Sequence, residues 1–442
     1  MSFNIALSGM RAANKELDVT GNNIANVGTV GFKQSRAEFA DAYASSFLGT
    51  GSSSTQKSSG VRLSTVSQLF NQGNISSTDN ALDLAINGSG FFQVSNNGVM
   101  GYTRAGYFGL DNQGYIITNQ NHNLQGYTVD AAGNLQNGVI GNLQIVTDGL
   151  APKPTSSINQ VFNLNSSMSA PTVTPFSADD PASYNSSTSV NMYDSQGNVH
   201  VMRQYFVKTS SNTWDMHILI DGRNPGDPTA TTPYTLSMDF STNGGLNTIT
   251  SASTGITIDP DTNMVNLTNW TPAAETNALD ANGNKIWAAN GAVANPAGVS
   301  MNFTEAAQFA TTFSVDSLSQ DGYGASAFSG LEIDSDGMIY SRYTNGQLKV
   351  QGQVILSDFI NPQGLTPLGD SLWAESMDSG QPVRNPPGFG TLGAIQSAAL
   401  EDSNVDLSEQ LVDLIVAQRN YQANAKTIET ESSITQTIIG LR

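Results

Sequence analysis

Residues 403–430 read SNVDLSEQLVDLIVAQRNYQANAKTIET, and the fold is decided there. Leu407, Leu411, Leu414, Gln418, Tyr421, Ala425 and Ile428 follow steps of four and three, the spacing of one helix face. Val405, Val412, Val416, Ala423, Ile434 and Ile438 form a second set, about a third of a turn round. Arg419, Gln422, Lys426 and Ser433 mostly occupy a third, polar face. Asp402, Ser403 and Asn404 are the candidate caps before the first turn. A helix with two apolar faces packs against two neighbours.

The other end of the chain supplies one neighbour. Phe3, Met10, Leu17 and Ile24 recur every seven residues, and Ala6, Ala13 and Thr20 fill the other heptad core position. Val27-Gly28-Thr29-Val30-Gly31 breaks this helix. Asn22, Asn23 and Asn26 fall where it ends, and their short amides suit capping and shape-fixing bonds to backbone. The second apolar face has no evident partner in a chain that is otherwise β-rich. Two readings stay open. Both ends are ordinary amphipathic helices on the molecule's own core, or both are assembly elements, marginal alone and ordered when neighbours cover them.

Between the ends the chain reads as strands and turns. Residues 45–60 are Ser/Gly-rich and predict a flexible loop. Leu84-Ala85-Ile86, Phe91-Phe92-Gln93-Val94, Tyr115-Ile116-Ile117 and Leu124-Gln125-Gly126-Tyr127 are short apolar runs, and Asn97-Gly98 is a tight-hairpin signal. Ala151-Pro152-Lys153-Pro154 marks a boundary. Beyond it, Val199, Val201, Arg203, Tyr205 and Val207 share one strand face; Met216, Ile218 and Ile220 share another, and Tyr234, Leu236, Met238 and Phe240 a third. After residue 321 the short apolar runs and turn signals of residues 80–127 return. The order predicts a mainly β, multi-domain chain that runs outward and comes back, its terminal helices paired as a coiled coil. The expected layers are 1–30 with 403–442, an extended region 31–75 with 361–402, an inner β domain 76–148 with 321–360, and an outer β domain 149–320.

Composition excludes much else. The 442 residues carry 37 acidic against 18 basic groups, a net charge of −19, which disfavours nucleic acid and anionic lipid as partners. Without cysteine there are no disulfides, thiolate metal sites or cysteine nucleophiles. No run of about 18 apolar residues predicts membrane insertion. MSFNIALSGMRAANKELD lacks a cationic start before an apolar run, so the expectation is export without a cleaved signal.

Candidate chemical sites are weak. Asp259-Pro260-Asp261-Thr262-Asn263 starts like a calcium loop, but Met264 stands where its glycine belongs and Trp270 where its glutamate does. Asp334-Ser335-Asp336-Gly337 reads as a hairpin turn. His200 and His217 lie in neighbouring predicted strands without a third metal ligand. Gly88-Ser89-Gly90 lacks the third glycine of a dinucleotide loop. The expectation is no catalytic residue, no metal and no cofactor.

Several segments together resemble a family. Asn22-Asn23-Ile24-Ala25-Asn26 with Thr29 and Gly31-Phe32-Lys33 is similar to the N-terminal signature of the bacterial flagellar axial proteins, the rod, hook and hook-associated group. Ser403 to Thr430 is similar to their C-terminal signature. Asn80 to Ile86 with Gly88, Gly90, Phe91 and Phe92 resembles their shared β domain, as does Tyr102-Thr103-Arg104-Ala105-Gly106 with Leu124 to Tyr127. Rod members resemble a shorter version; here residues 149–320 intervene, and Tyr193 to His200, Tyr205 to Lys208 and Thr213-Trp214 look like the outer domain of hook members. The likeness is close over 1–145 and 321–442 and looser over 215–320.

The resemblance implies a structural subunit of a flexible helical tube that carries torque from rod to filament, with the paired helices lining its interior. It implies polymerisation contacts at Phe3, Met10, Leu17, Ile24, Asn22, Asn23, Asn26, Leu407, Leu411, Leu414, Tyr421, Ile428, Val412, Val416, Ile434 and Ile438. Its implied partners are copies of the chain, the distal rod, hook cap and hook–filament junction proteins, and a type III export apparatus; its implied place is the extracellular hook. The alternatives are the distal rod or another axial protein, an extracellular β-rich carbohydrate-binding protein or enzyme, and a monomeric scaffold.

Overall fold

A computed structural model describes residues 2–43, 58–130, 133–279 and 285–440. It is mainly β with a helix at each end. The chain forms two compact units, one of Met1–Thr147, Ser329–Arg342 and Leu348–Arg442, the other of Asp148–Phe328 and Tyr343–Gln347. No helix among the described residues is long and apolar enough to cross a membrane.

In the first unit, helix α1 (Ser2–Ala25) packs along helix α2 (Leu407–Gly440). Strands β1 (Ser35–Tyr43) and β2 (Ser58–Gln68) form an antiparallel ribbon against α1. Ser8 Oγ accepts from the Val61 amide at 3.1 Å. Gly60 has φ +115°, and a Cβ there would sit 2.1 Å from Ser8 Oγ, so only glycine permits this approach. Of the predicted loop 45–60, residues 45–57 lie outside the described residues, while Ser58–Gly60 already belong to β2. That part of the loop expectation was wrong, because ribbon pairing overrides local Ser/Gly composition.

The outgoing and returning chain segments pair side by side. Ile75–Ser77 is antiparallel to Ala399–Glu401, and Leu84–Asn87 to Ala394–Ser397. They lead into a 13-stranded sheet. One line of that sheet runs Val383–Asn385, Leu356–Asp358, Phe91–Asn96, Val99–Thr103, Leu372–Ala374, Thr366–Gly369, every neighbour antiparallel. Asn97 and Gly98, at φ 51° and 89°, make the tight hairpin their sequence predicts. Leu84, Ile86, Phe92, Val94, Ile116, Leu124, Val354 and Leu356 fill the core.

The second unit stacks two sheets. Ser186–Tyr193, Val199–Lys208, Thr213–Ile220, Tyr234–Phe240 and Leu246–Ser251 form a meander in chain order. In the other sheet Ser157–Asn165 runs parallel to Val299–Asn302 and Ala307–Phe309 and antiparallel to Ser314–Gln320. Phe162, Phe206, Trp214, Met216, Leu236, Met301 and Phe303 lie between them. In Val199–Lys208 the core side is not the face grouped from sequence. His200, Met202, Gln204, Phe206 and Lys208 turn inward, because pairing Met202 with Ile220 and Phe206 with Met216 keeps the bulkiest apolar groups together.

Candidate assembly surface

The two terminal helices run antiparallel. Asn23 Nδ2 donates to Gln410 Oε1 at 2.9 Å, and Gly9 meets the side chain of Asn424. In that register Ser2 stands opposite Glu431, and the nine residues 432–440 run on past α1 for about 13 Å.

The seam between them is built from small and polar groups. On α1 the buried residues are Ala6, Ala13, Thr20 and Asn23. On α2 they are Gln410 and Ala417, with Asp413, Leu414, Asn424, Ala425 and Ile428 half-buried. A Cβ on Gly9 would lie 2.6 Å from Asn424 Oδ1, so the backbones approach closely. The face read from sequence meets α1 only in part: Leu414, Ala425 and Ile428 are half-buried, whereas Leu407, Leu411 and Tyr421 are exposed. Close approach through Ala and Gly leaves no room for a row of leucines, which are pushed to the flank. Leu407 and Leu411 stay 43% and 44% exposed.

At about 100° per residue, the seam through Gln410, Ala417 and Asn424 lies roughly 90° from the Leu407–Leu411 face. It lies about as far, on its other side, from the face of Val412, Val416 and Ile434. Arg419, Gln422, Lys426 and Ser433 point away from α1. Apolar groups therefore stand uncovered on both flanks of the seam: Leu407 and Leu411 on one, Val412, Val416 and Ile434 on the other, with Tyr421 exposed as well. On α1, Phe3 is exposed, and Met10, Leu17 and Ile24 are half-buried. Ile438 belongs to α2, but its side chain lies outside the described residues.

The asparagines divide. Asn23 is buried with its amide satisfied: Nδ2 also donates to Ser35 O at 2.8 Å, and Oδ1 accepts from Ser35 N at 2.9 Å. It joins α1, β1 and α2. Asn26 Nδ2 donates to Asn22 O at 2.9 Å and closes the helix end, while Asn22 is exposed. The α2 cap is Asp406, whose Oδ1 accepts from Ser408 N and Glu409 N, rather than Asp402, Ser403 or Asn404. Asn404 is drawn instead to Gln34 N at 2.7 Å and Leu69 O at 2.8 Å, so the helix starts later.

Sequence reading missed the group that ties these segments together. Glu401, fully buried, takes Lys33 Nζ at 2.6 Å, Arg104 Nη1 at 3.1 Å and Gly73 N at 2.8 Å. Lys33 also donates to Asn71 O, and Arg104 to Gly88 O. Burial lowers the pKa of both cations, and Glu401 only partly offsets it. Glu401 sits in a short apolar strand, Ala399–Glu401, which is its only sequence signal. In the seam, burial and the nearby Asp413 carboxylate raise the pKa of Glu16.

The weak chemical candidates resolve as structure. His217 opposes Tyr205, so His200 lies five residues along the strand, about 17 Å away. His200 is instead held between Asp221 at 2.7 Å and Asp194 at 3.3 Å. Asp259 accepts from Asp261 N and Thr262 Oγ1 within its own turn. Asp334 caps the hairpin at Gly337 by accepting from Asp336 N and Met338 N.

Four family models match the chain. They are the flagella basal body rod protein over residues 3–33, the flagellar hook protein FlgE/F/G D1 domain over 85–151, the flagellar basal body protein FlaE D2 domain over 163–323, and the flagellar basal body rod FlgEFG protein C-terminal over 396–441. The chain is 38% identical to the flagellar hook protein FlgE of Salmonella typhimurium and 36% identical to that of Escherichia coli K12, each over 100% of both chains. A crystal structure of the Helicobacter pylori flagellar hook protein FlgE2 aligns at TM-score 0.49 and 14% identity, over 74% of this chain and 100% of that one.

Proposed function

The chain belongs to the bacterial flagellar hook protein family, and on that premise we propose that its helices are the hook's polymerisation surface. The chain is a structural subunit of the flagellar hook, a helical homopolymer. The observation that carries the assembly reading is the pair of exposed apolar faces on α2, one on each flank of the α1 seam. Lateral neighbours supply the two missing partners. The polar face opposite the seam, with Arg419 and Lys426, then borders the central channel. Subunits joined by such unlike contacts build an open tube.

The finer assignments follow from this reading. The chain divides into domains 1–30 with 403–442, 31–75 with 361–402, 76–148 with 321–360, and 149–320. The tube meets distal rod protein at its base and cap and junction proteins at its tip. The chain is exported by the type III route, and it has no catalytic activity. Support for the mechanical role comes from the polar Ser/Thr/Asn surface of residues 149–320, which suits wet, exchangeable contacts.

The test is the double variant Leu411→Asp, Val416→Asp in the full chain. Both side chains are exposed, so the monomer should keep its hydrogen-exchange pattern while tube formation, seen by electron microscopy, is abolished. Normal tubes from this variant would overturn the assignment of α2.

A further inference from the structure

Outside the helices, two exposed apolar surfaces lie on the β part of the first unit. One is a projection. Met377 is 100% exposed and Ile360 88%. Their segments are clamped together, because Asn361 Nδ2 donates to Asp378 O at 2.9 Å. Val383, exposed on the adjoining edge strand, pairs with Asp358 two residues before Ile360. The other is a hollow of about 380 Å³, walled by Val94, Val99, Met100, Leu368 and Leu372, with Asn96, Asn97 and His122 also lining it.

Their placement is complementary. In the line of strands that starts at Val383–Asn385, that strand is one edge and Thr366–Gly369, carrying Leu368, is the other. Edge-to-edge backbone pairing is discouraged at both ends. Pro367 lies in one edge strand, and Pro386 and Pro387 follow the other. Contact there falls to side chains. Met377 beside Ile360 offers apolar surface that a partner can bury, and the unbranched Met side chain fills irregular hollows.

We propose that the Met377–Ile360 projection of one subunit seats in the Val99–Leu368 hollow of a neighbouring copy. This gives the β layer a head-to-tail contact of its own. It rests on the homopolymer reading, which supplies a second copy as occupant. Projection and hollow are different surfaces, so the contact does not close into a dimer, as an open tube requires. A side chain seated in a hollow can also shift within it without breaking backbone hydrogen bonds.

The absence of native cysteine makes the test clean. Tubes are assembled from full chain carrying Met377→Cys with Val99→Cys, and treated with a short bismaleimide. Expected is a ladder of linked oligomers well beyond the dimer, with none from either single variant and only dimers from an equimolar mixture of the two. No ladder from the double variant, or dimers from Met377→Cys alone, overturns the proposal. Independently, Met377→Asp should raise the protein concentration needed for assembly about tenfold or more. Unchanged assembly refutes the contact. If wild-type chain forms no tubes, the polymer reading itself fails, and this contact with it; if wild type assembles and only the ladder is missing, the polymer reading stands and this contact alone is wrong.

Discussion

Replacing Glu401 with glutamine removes the buried anion shared by Lys33 and Arg104 while keeping its shape. The wild-type carboxylate accepts three hydrogen bonds, from Lys33, Arg104 and Gly73. The amide offers one acceptor oxygen and places an NH₂ against a cation. At least one charged bond is lost, and two buried cations face each other without a counterion. Breaking such a pair costs about 3–5 kcal/mol. Against the usual domain stability of about 5–15 kcal/mol, that is a large share. Native-state hydrogen exchange at Ile75–Ser77 and Ala399–Glu401, where outgoing and returning chains pair, reads the loss directly. Exchange within Ser186–Phe240 serves as the internal control, because that sheet belongs to the other unit. The deficit should shrink as pH rises. Burial already holds the Lys33 pKa low, and without Glu401 it falls further, so deprotonation favours the folded state increasingly above that pKa. Replacing Lys33, Arg104 and Glu401 together by methionine should recover much of the loss. A change below about 1 kcal/mol in Glu401→Gln refutes the view that this carboxylate joins the chain's ends to the sheet.

Two further outcomes follow. Gly9→Val drives a branched side chain into Asn424, so α1 and α2 should part and their amides exchange faster, while the 13-stranded sheet keeps its protection. In the other unit, Asp221 and Asp194 overcome burial and raise the His200 pKa, so its contribution is full below pH 6.5 and is lost as pH climbs through the raised value. Asp194 itself, which burial alone would raise, is pulled down to about 2 by Asn198, Asn290 and His200, so its contribution fades as pH falls from 3.8 toward that value. The Asp194–His200–Asp221 contribution to the thermal resistance of this unit should be largest between pH 3.8 and 6.5, and His200→Gln should flatten the alkaline side relative to wild type; an unaltered alkaline limb in that variant counts against the network.

Local signals were readable where the answer was local. Asn97-Gly98 makes its turn because both residues tolerate positive φ, whatever surrounds them. Met216, Ile218 and Ile220 face inward as their alternation predicts. The strand Val199–Lys208 was harder, since both its faces carry apolar groups. Tyr205 is buried beside Phe176 and Tyr184 while Phe206 faces the opposite way into the core. Periodicity could not choose between two greasy faces; the neighbouring strand's register did.

For the helices, the heptads at both ends and the two apolar faces of α2 were written in residue order, because a helix repeats every 3.6 residues regardless of its partner. Which stripe would meet α1 was not. Ala6, Gly9, Ala13 and Thr20 let the backbones come close, and at that distance Ala417 and Asn424 fit where leucines cannot. Likewise Lys33, Arg104 and Glu401 are separated widely in sequence, and no local pattern links them. Only the folded chain brings one carboxylate to two cations, because the cost of burying unpaired charge is settled by three-dimensional neighbours.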